Sequence, residues 1–175
     1  MYNDDAVKLL NDLIQTSEDE QNGFADAMAE ATKPDLKILF FVRSIDCGTA
    51  VIELQRLVKS LGGKPKDSGR LADTVCPSWV RHKPSTGNAN IATLEDVDRA
   101  ESMANAAYAK ALSAELPQQI RLVVQRQYEY GVRNHDLIRG LRSDYEVTTT
   151  SVQIQAEAGW LAIFRERPPR LKESR

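Results

Sequence analysis

Glu53, Glu101 and His135 are the candidate ligands for a metal ion, because carboxylates and imidazoles can bind metals. In a helical bundle, a di-iron or di-manganese centre takes one Glu from each of two helices and a Glu-x-x-His pair from each of the other two. Both pairs are broken here, because Arg56 follows Glu53 by three residues and Val132 precedes His135 by three. Two interpretations therefore stay open: a non-standard iron or manganese site at these three residues, and no cofactor at all.

The alternative to a metal site is a polar layer of hydrogen-bonding side chains halfway along a bundle. Glu101 lies on an apolar stripe between Val97 and Ala104, where a carboxylate without a partner would be costly. Glu18 and Glu20 lie beside the stripe of their own helix rather than on it. A polar layer would give Glu101 partners and fix the helix pairing. The side chains that could form it are Ser17, Gln21, Arg43, Arg56, Glu101, Gln127, Asn134 and His135.

The sequence matches none of the common enzyme motifs. It contains no GxSxG, no glycine-rich phosphate loop and no HExxH. Cys47 and Cys76 form no CxxC, so we interpret both as reduced thiols, and we interpret His82 as a surface histidine. A net charge of −2 argues against nucleic-acid binding, which needs a basic face. These observations favour a non-enzymatic protein.

The sequence also lacks a membrane-spanning or secretory segment. The longest apolar runs cover residues 38–42 and 160–164, and both are far too short to span a bilayer. Residues 1–5 have neither the basic nor the apolar region of a secretory signal. We therefore expect a cytoplasmic protein.

Four stretches with apolar residues spaced three and four apart predict the helices that position these side chains. Pro34 separates the first helix from the second, and Gly62 and Gly63 end the second. Thr93 is the expected N-cap of the third helix, and Pro117 opens the fourth. The predicted helices cover residues 4–31, 35–61, 93–114 and 117–142.

The lengths of the connections predict how these helices are arranged. The first and third connections are short, so each joins antiparallel neighbours. The second covers residues 62–92. A helix of about 26 residues is roughly 39 Å long, and about 30 extended residues reach roughly 100 Å. A crossover along the whole bundle is therefore feasible, with helices two and three parallel as in ferritin-like folds. An up-down-up-down bundle with a folded loop is the alternative.

Several motifs resemble a family of bacterial ferritin-like four-helix-bundle proteins of unknown function. The resemblance covers residues 4–142 and implies the bundle fold and a bacterial cytoplasmic setting, but no activity. The residues that carry it are the stretches 11–19 and 53–63, Asp67-Ser68-Gly69, Trp79, Glu101 with Tyr108, and Asn134-His135-Asp136. The predicted fold is thus all-α: a ferritin-like four-helix bundle over residues 1–142, with a long crossover between helices two and three.

Residues 143–175 are predicted to form a loosely attached C-terminal extension. Thr148, Thr149, Thr150 and Ser151 are poor helix formers. Further on, apolar residues at 160–164 stand beside arginines at 165, 167 and 170. Such a segment can fold back over the bundle, bind a protein partner or another copy, or, least favoured, contact a membrane.

Two functional hypotheses follow from the sequence. The first is a non-enzymatic helical protein that acts by self-association or with a protein partner, in bacterial stress physiology. The second is a metal-binding, ferritin-like redox or storage protein with an altered ligand set. The stress role rests on analogy between ferritin-like proteins and not on any residue of this chain.

Overall fold

The computed structural model describes residues 2–66 and 88–166, and the side chains of residues 3–66 and 88–155. Within these ranges the chain forms four helices and no strand. They are α1 (Tyr2–Glu30), α2 (Pro34–Ser60), α3 (Ala89–Ser113) and α4 (Gln118–Glu166). The predicted all-α, four-helix architecture is confirmed.

Two apolar clusters at opposite ends of the bundle show the direction of each helix. The first joins the N-terminal half of α1 to the C-terminal halves of α2 and α3 and the start of α4, through residues such as Leu10, Leu54, Ala111 and Ile120. The second joins the other ends, through Phe24, Phe40, Leu94 and Ile138. Helices α2 and α3 therefore run parallel, and α1 and α4 run opposite to them. This is the predicted crossover arrangement and not the up-down-up-down alternative.

The helix ends agree with the prediction at α2 and differ at α3. Pro34 is in the first turn of α2, and Gly62 follows that helix at φ 77°, a conformation that favours glycine. The N-cap of α3 is Asn88, whose side chain accepts a hydrogen bond from the Asn90 amide. Thr93 is not a cap, because it lies one turn inside α3 and its hydroxyl donates to the Ala89 carbonyl.

Helix α4 does not end at Arg142 but continues to Glu166. The hydroxyls of Thr148, Thr150 and Ser151 each donate to the carbonyl four residues earlier, so these side chains are satisfied inside the helix. Thr149 also accepts a hydrogen bond from Asn88, at the start of α3. The weak helix propensity of these residues therefore does not end the helix. The division into a bundle at 1–142 and an extension at 143–175 stays a prediction.

The helices do not all approach one another equally closely. Helix α1 packs closely on α2 and on α3, and α3 packs closely on α4. Helices α2 and α4 stay further apart and meet mainly through long polar side chains. That gap positions the candidate site. None of the helices, over the residues described, is long and apolar enough to cross a membrane.

Candidate functional site

A cavity of about 400 Å³ lies at mid-length of the bundle, between the two apolar clusters and in the gap between α2 and α4. All four helices contribute to its lining. We call it the α2/α4 cavity. The acidic and basic residues of the lining are Glu20, Arg43, Asp46, Glu53, Arg126 and Arg133.

Arg43 is the central cation of this cavity. Arg43 is only 4% exposed to solvent. Its Nη2 donates to Glu101 Oε1 at 3.1 Å, and its Nη1 lies 3.6 Å from Asp46 Oδ2. The guanidinium carbon lies 5.1 Å from the centroid of the Phe24 ring and 5.2 Å from that of Tyr130. A buried cation held between two rings and two carboxylates is well fixed in position.

The buried pair of Arg43 and Glu101 leaves two polar atoms unsatisfied. Arg43 Nε and Glu101 Oε2 are inaccessible to solvent and find no hydrogen-bond partner among the residues described. Burial raises the pKa of the Glu101 carboxyl, and Arg43 opposes that increase. Leaving a buried donor or acceptor without a partner costs about 1–3 kcal/mol. The pair is therefore held together although two of its polar atoms stay unsatisfied.

Glu20 of α1 faces the α2/α4 cavity, although the sequence places it beside the helix stripe. Burial raises the pKa of its carboxyl to about 8, and the nearby charge of Glu101 adds to the effect, while Arg43 acts against it. At pH 7 the Glu20 carboxyl is therefore largely neutral. A neutral carboxyl can donate a hydrogen bond as well as accept one.

A chain of hydrogen bonds crosses the bundle beside Arg43. Ser17 and the Tyr108 hydroxyl are 2.8 Å apart, and that hydroxyl donates to Gln127 Oε1 at 3.0 Å. Gln127 donates onward to Glu53 at 2.8 Å, and Arg126 donates to both Glu53 oxygens at 2.8 Å. Burial raises the pKa of Tyr108. This chain connects all four helices and contains two residues of the predicted polar layer, Ser17 and Gln127.

His135 belongs to a separate group on the α3/α4 side. Its Nε2 lies 2.6 Å from Asp98 Oδ1, and Arg142 donates to the other oxygen of the same carboxylate. Asp98 and His135 are both partly buried. Neither lines the α2/α4 cavity. This group joins α3 to α4 near the second apolar cluster.

The three predicted metal ligands thus have three different partners. Glu53 is bonded to Arg126 and Gln127, Glu101 to Arg43, and His135 to Asp98. Across the described parts of the chain, no group of three or more His, Cys, Asp or Glu side chains could hold a metal ion together.

The usual di-metal ligand set does not fit here, because a guanidinium lies against the Glu101 carboxylate and both Glu-x-x-His pairs are broken. The altered iron or manganese site at Glu53, Glu101 and His135 stays a prediction. It is tested by measuring metal bound to protein from iron- and manganese-supplemented cells. The prediction requires near-stoichiometric metal that is lost on Glu101→Ala.

The sequence did not reveal every residue of the cavity. Asp46, Arg126, Tyr130 and Arg133 are polar residues on predicted helices, without a motif to mark them. The signal for Asp46 was its place one turn after Arg43, which puts both on one helix face. Besides His135, two further predicted members of the polar layer lie outside the cavity. Arg56 is exposed, and Asn134 donates to the Tyr130 carbonyl of its own helix.

The helix order and the long crossover make this protein a ferritin-like four-helix bundle. Within that class, the chain belongs to the DUF2383 family, a domain of unknown function, whose family model matches residues 5–114. The match covers α1, α2, the crossover and α3, and it ends before α4. Fold and family agree with the resemblance seen in the sequence, whereas the bacterial setting stays a prediction.

A similar solved structure is that of a mutant of Mycobacterium smegmatis Dps1. The two structures have a TM-score of 0.69 and 12% sequence identity, over 81% of this chain and 97% of that one. At this identity the likeness shows the fold alone. No curated protein matches the chain in sequence.

Proposed function

We propose that this protein is a non-enzymatic helical bundle that works by self-association, with the outward face of α2 as the interface between two copies. The proposal rests on one observation. Five large apolar side chains lie on that face, and each is between 46% and 65% exposed. We call them the α2 outer face: Ile38, Phe41, Val42, Ile45 and Ile52.

The α2 outer face is a continuous stripe and not a scatter of single residues. Spacings of three, one, three and seven residues place all five side chains on one side of the helix. The stripe extends from Ile38 to Ile52, about 21 Å at 1.5 Å per residue. Single exposed apolar residues are ordinary on a protein surface, but contiguous apolar patches mark interaction sites.

The charges at the two ends of this face favour a second copy as the partner. Asp35 precedes Ile45 by ten residues and Arg56 follows it by eleven, and both are exposed. If two α2 helices pair antiparallel about Ile45, each Arg56 comes close to the Asp35 of the other copy. Such a two-fold contact uses the same patch on both subunits, which is the commonest arrangement in homo-oligomers.

A role in bacterial stress physiology is part of this proposal. It is supported only by the likeness in fold to ferritin-like proteins, since no residue of the cavity or of the α2 outer face indicates a trigger or a physiological process. Self-association itself is supported by the exposed apolar stripe and by the complementary charges at its ends.

The experiment is a measurement of molar mass by light scattering and sedimentation equilibrium. We expect wild-type protein to dimerise, and Phe41→Glu and Ile45→Glu each to weaken the dimer by about tenfold or more, ~1.4 kcal/mol. Leu122→Glu is the matched control, because Leu122 is 61% exposed but lies on α4, away from the outer face. Circular dichroism checks that each variant is folded.

Two results would overturn the proposal. One is a wild-type protein that stays monomeric up to about 100 µM, a concentration at which even weak specific dimers form. The other is an equal effect of Phe41→Glu and Leu122→Glu, which would show that the position on α2 is irrelevant.

A further inference from the structure

We propose that the α2/α4 cavity binds a small neutral molecule that carries an amide-like edge, with an N–H donor beside a C=O acceptor, on a compact apolar body. Glu20 of α1 and Asn105 of α3, which both line the cavity, would form hydrogen bonds with that edge. This inference is independent of self-association, since it rests on the interior of the bundle and not on the α2 outer face.

Glu20 supplies a polar group that is both unoccupied and reachable from the cavity. Its residue is half-buried, and its carboxyl has no hydrogen bond among the residues described. The described chain has four unbonded side-chain atoms that solvent cannot reach, and neither Glu20 oxygen is among them. A ligand in the cavity can therefore contact this carboxyl directly.

The Glu20 carboxyl can both donate and accept a hydrogen bond. Burial raises its pKa to about 8, so at pH 6.5 it is largely neutral. A neutral carboxyl has an O–H beside a C=O, and an amide has the complementary N–H and C=O. Two such groups can therefore exchange two hydrogen bonds. The charged and titratable groups that influence Glu20 are Asp19 on α1, Arg43 and Cys47 on α2, and Glu101 and Tyr108 on α3.

Asn105 is the second unoccupied polar group of the cavity. It is half-buried, its amide has no hydrogen bond among the residues described, and neither of its polar atoms is inaccessible to solvent. Gly131 of α4 makes room for it, because a Cβ at that position would lie 2.6 Å from Asn105 Oδ1. Glycine inside a helix is less stable than alanine. The close approach of the amide is therefore what this glycine permits.

The charges around the cavity favour a neutral ligand, because most of them are engaged by neighbours and they balance. Glu53 accepts hydrogen bonds from Arg126 and Gln127, and Asp46 accepts one from the Tyr130 hydroxyl at 2.6 Å. Three guanidiniums in the lining face three carboxylates in or directly behind it. They are Arg43, Arg126 and Arg133 on one side, and Asp46, Glu53 and Glu101 on the other. A ligand of either charge would disturb this balance, whereas a neutral one does not.

The size and walls of the cavity set the rest of the ligand. About 400 Å³ is near the lower end of the range for small-molecule sites. The walls between the polar groups include Ala50, Ala104 and the Tyr108 ring. A single ring or a short branched chain fits this volume, whereas a larger cofactor does not.

Four probes of similar size test the proposal by isothermal titration calorimetry on the full chain at pH 6.5. Benzamide carries the amide edge, acetophenone keeps its carbonyl but has no N–H, benzoate is an anion and benzamidine is a cation. We expect benzamide to bind at least about tenfold more tightly than each of the others, ~1.4 kcal/mol. Preference for any other probe, equal affinity for all four, or no saturable binding of benzamide would overturn the assignment.

Two substitutions of Glu20 test its role as a neutral partner. Glu20→Gln keeps a donor beside an acceptor, so it should change benzamide affinity by less than about threefold. Glu20→Leu removes both and should weaken benzamide by about tenfold, a typical loss for such hydrogen bonds. Circular dichroism checks that both variants are folded. Loss of binding in Glu20→Gln would mean that an ionised carboxylate holds the probe, and it would overturn the proposal.

Two glycines inside α4 locate the binding. A Cβ at Gly131 would displace the Asn105 amide, whereas a Cβ at Gly140 meets nothing within 4 Å. Both changes to alanine favour the helix equally, but only Gly131→Ala should weaken benzamide, by about tenfold. Equal effects of the two would show that the probe does not bind in the cavity. The Phe41→Glu variant should keep full benzamide affinity, so failure of the dimer proposal and failure of the ligand proposal are distinguishable.

Discussion

The inward and outward faces of α2 contrast sharply over the same two turns of helix. Arg43 points inward and is 4% exposed, whereas its neighbours Phe41 and Val42 point outward and are 52% and 46% exposed. The charged residue has two carboxylates and two aromatic rings around it. The apolar residues have no comparable cover within the described chain. The buried charge is tolerated because it is paired, whereas the exposed apolar patch indicates an interface with a second molecule.

Substitutions on the two faces of α2 should therefore affect different properties of the protein. An inward change should destabilise the fold itself, because it disturbs a paired charge in the bundle interior. An outward change such as Phe41→Glu should leave the fold intact and act on assembly. The following predictions test that distinction, from the largest expected change in unfolding free energy to the smallest.

Arg43→Met has the largest expected effect on stability. It removes the cation but leaves the Glu101 carboxylate buried, which should lower the free energy of unfolding by about 3–5 kcal/mol. Urea unfolding at pH 7 measures it. The double variant Arg43→Met with Glu101→Leu leaves no uncompensated charge and should recover a large part of that loss. If the single variant loses less than about 1 kcal/mol, the pair is not what holds the interior together.

Glu20→Gln tests the neutral carboxyl through the pH dependence of stability. The pKa of Glu20 is raised from 4.5 to about 8 in the folded protein. Between these values the unfolded chain releases a proton that the folded chain keeps, so this group makes wild type less stable as pH rises from about 4.5 to about 8, with no further change above that. The Gln variant cannot ionise and should escape this loss.

The advantage of Glu20→Gln over wild type should therefore grow with pH. At ~1.36 kcal/mol per pKa unit, we expect a difference of about 2–4 kcal/mol at pH 8 and about 1 kcal/mol or less at pH 5. Thermal or urea unfolding of both proteins at the two pH values measures it. A difference that is constant with pH would mean that Glu20 is ionised in the folded protein.

The sequence predicted the arrangement of the helices, with an up-down-up-down bundle as the alternative, but it did not predict every side-chain position. Helix hairpins and the crossover followed from connection lengths, since a long segment between two short turns permits one parallel pair. Periodicity alone does not decide whether Ala50 or Val51, or Leu57 or Val58, continues the inward stripe of α2, and in the structure Val51 and Val58 are the buried residues. Ala50 instead lines the cavity. Periodicity identifies a helix well, but over several turns the residue that faces the core can shift by one position.

The candidate site was predictable only where a charge interrupted an apolar stripe. Glu101 stood on such a stripe and Arg43 was among the candidates for the polar layer, so an inward polar pair was foreseeable. Tyr130 and Arg126 carried no comparable signal, because their roles depend on the gap between α2 and α4. That gap is a property of the packed bundle and not of any single helix. The exposed stripe on α2 was also missed, because a run of apolar residues does not tell which side faces solvent.

Tyr108→Phe has the smallest expected effect and tests the hydrogen-bond chain beside Arg43. The Tyr108 hydroxyl bonds to Ser17 on α1 and to Gln127 on α4. Its removal should cost about 1 kcal/mol of unfolding free energy, a typical net value for such bonds. Tyr128→Phe is the control, because Tyr128 is a partly buried tyrosine against the first apolar cluster and does not belong to the chain. Equal losses would indicate that the chain adds nothing beyond packing, and a loss confined to Tyr108→Phe would show that polar contacts between α1, α3 and α4 stabilise the bundle interior.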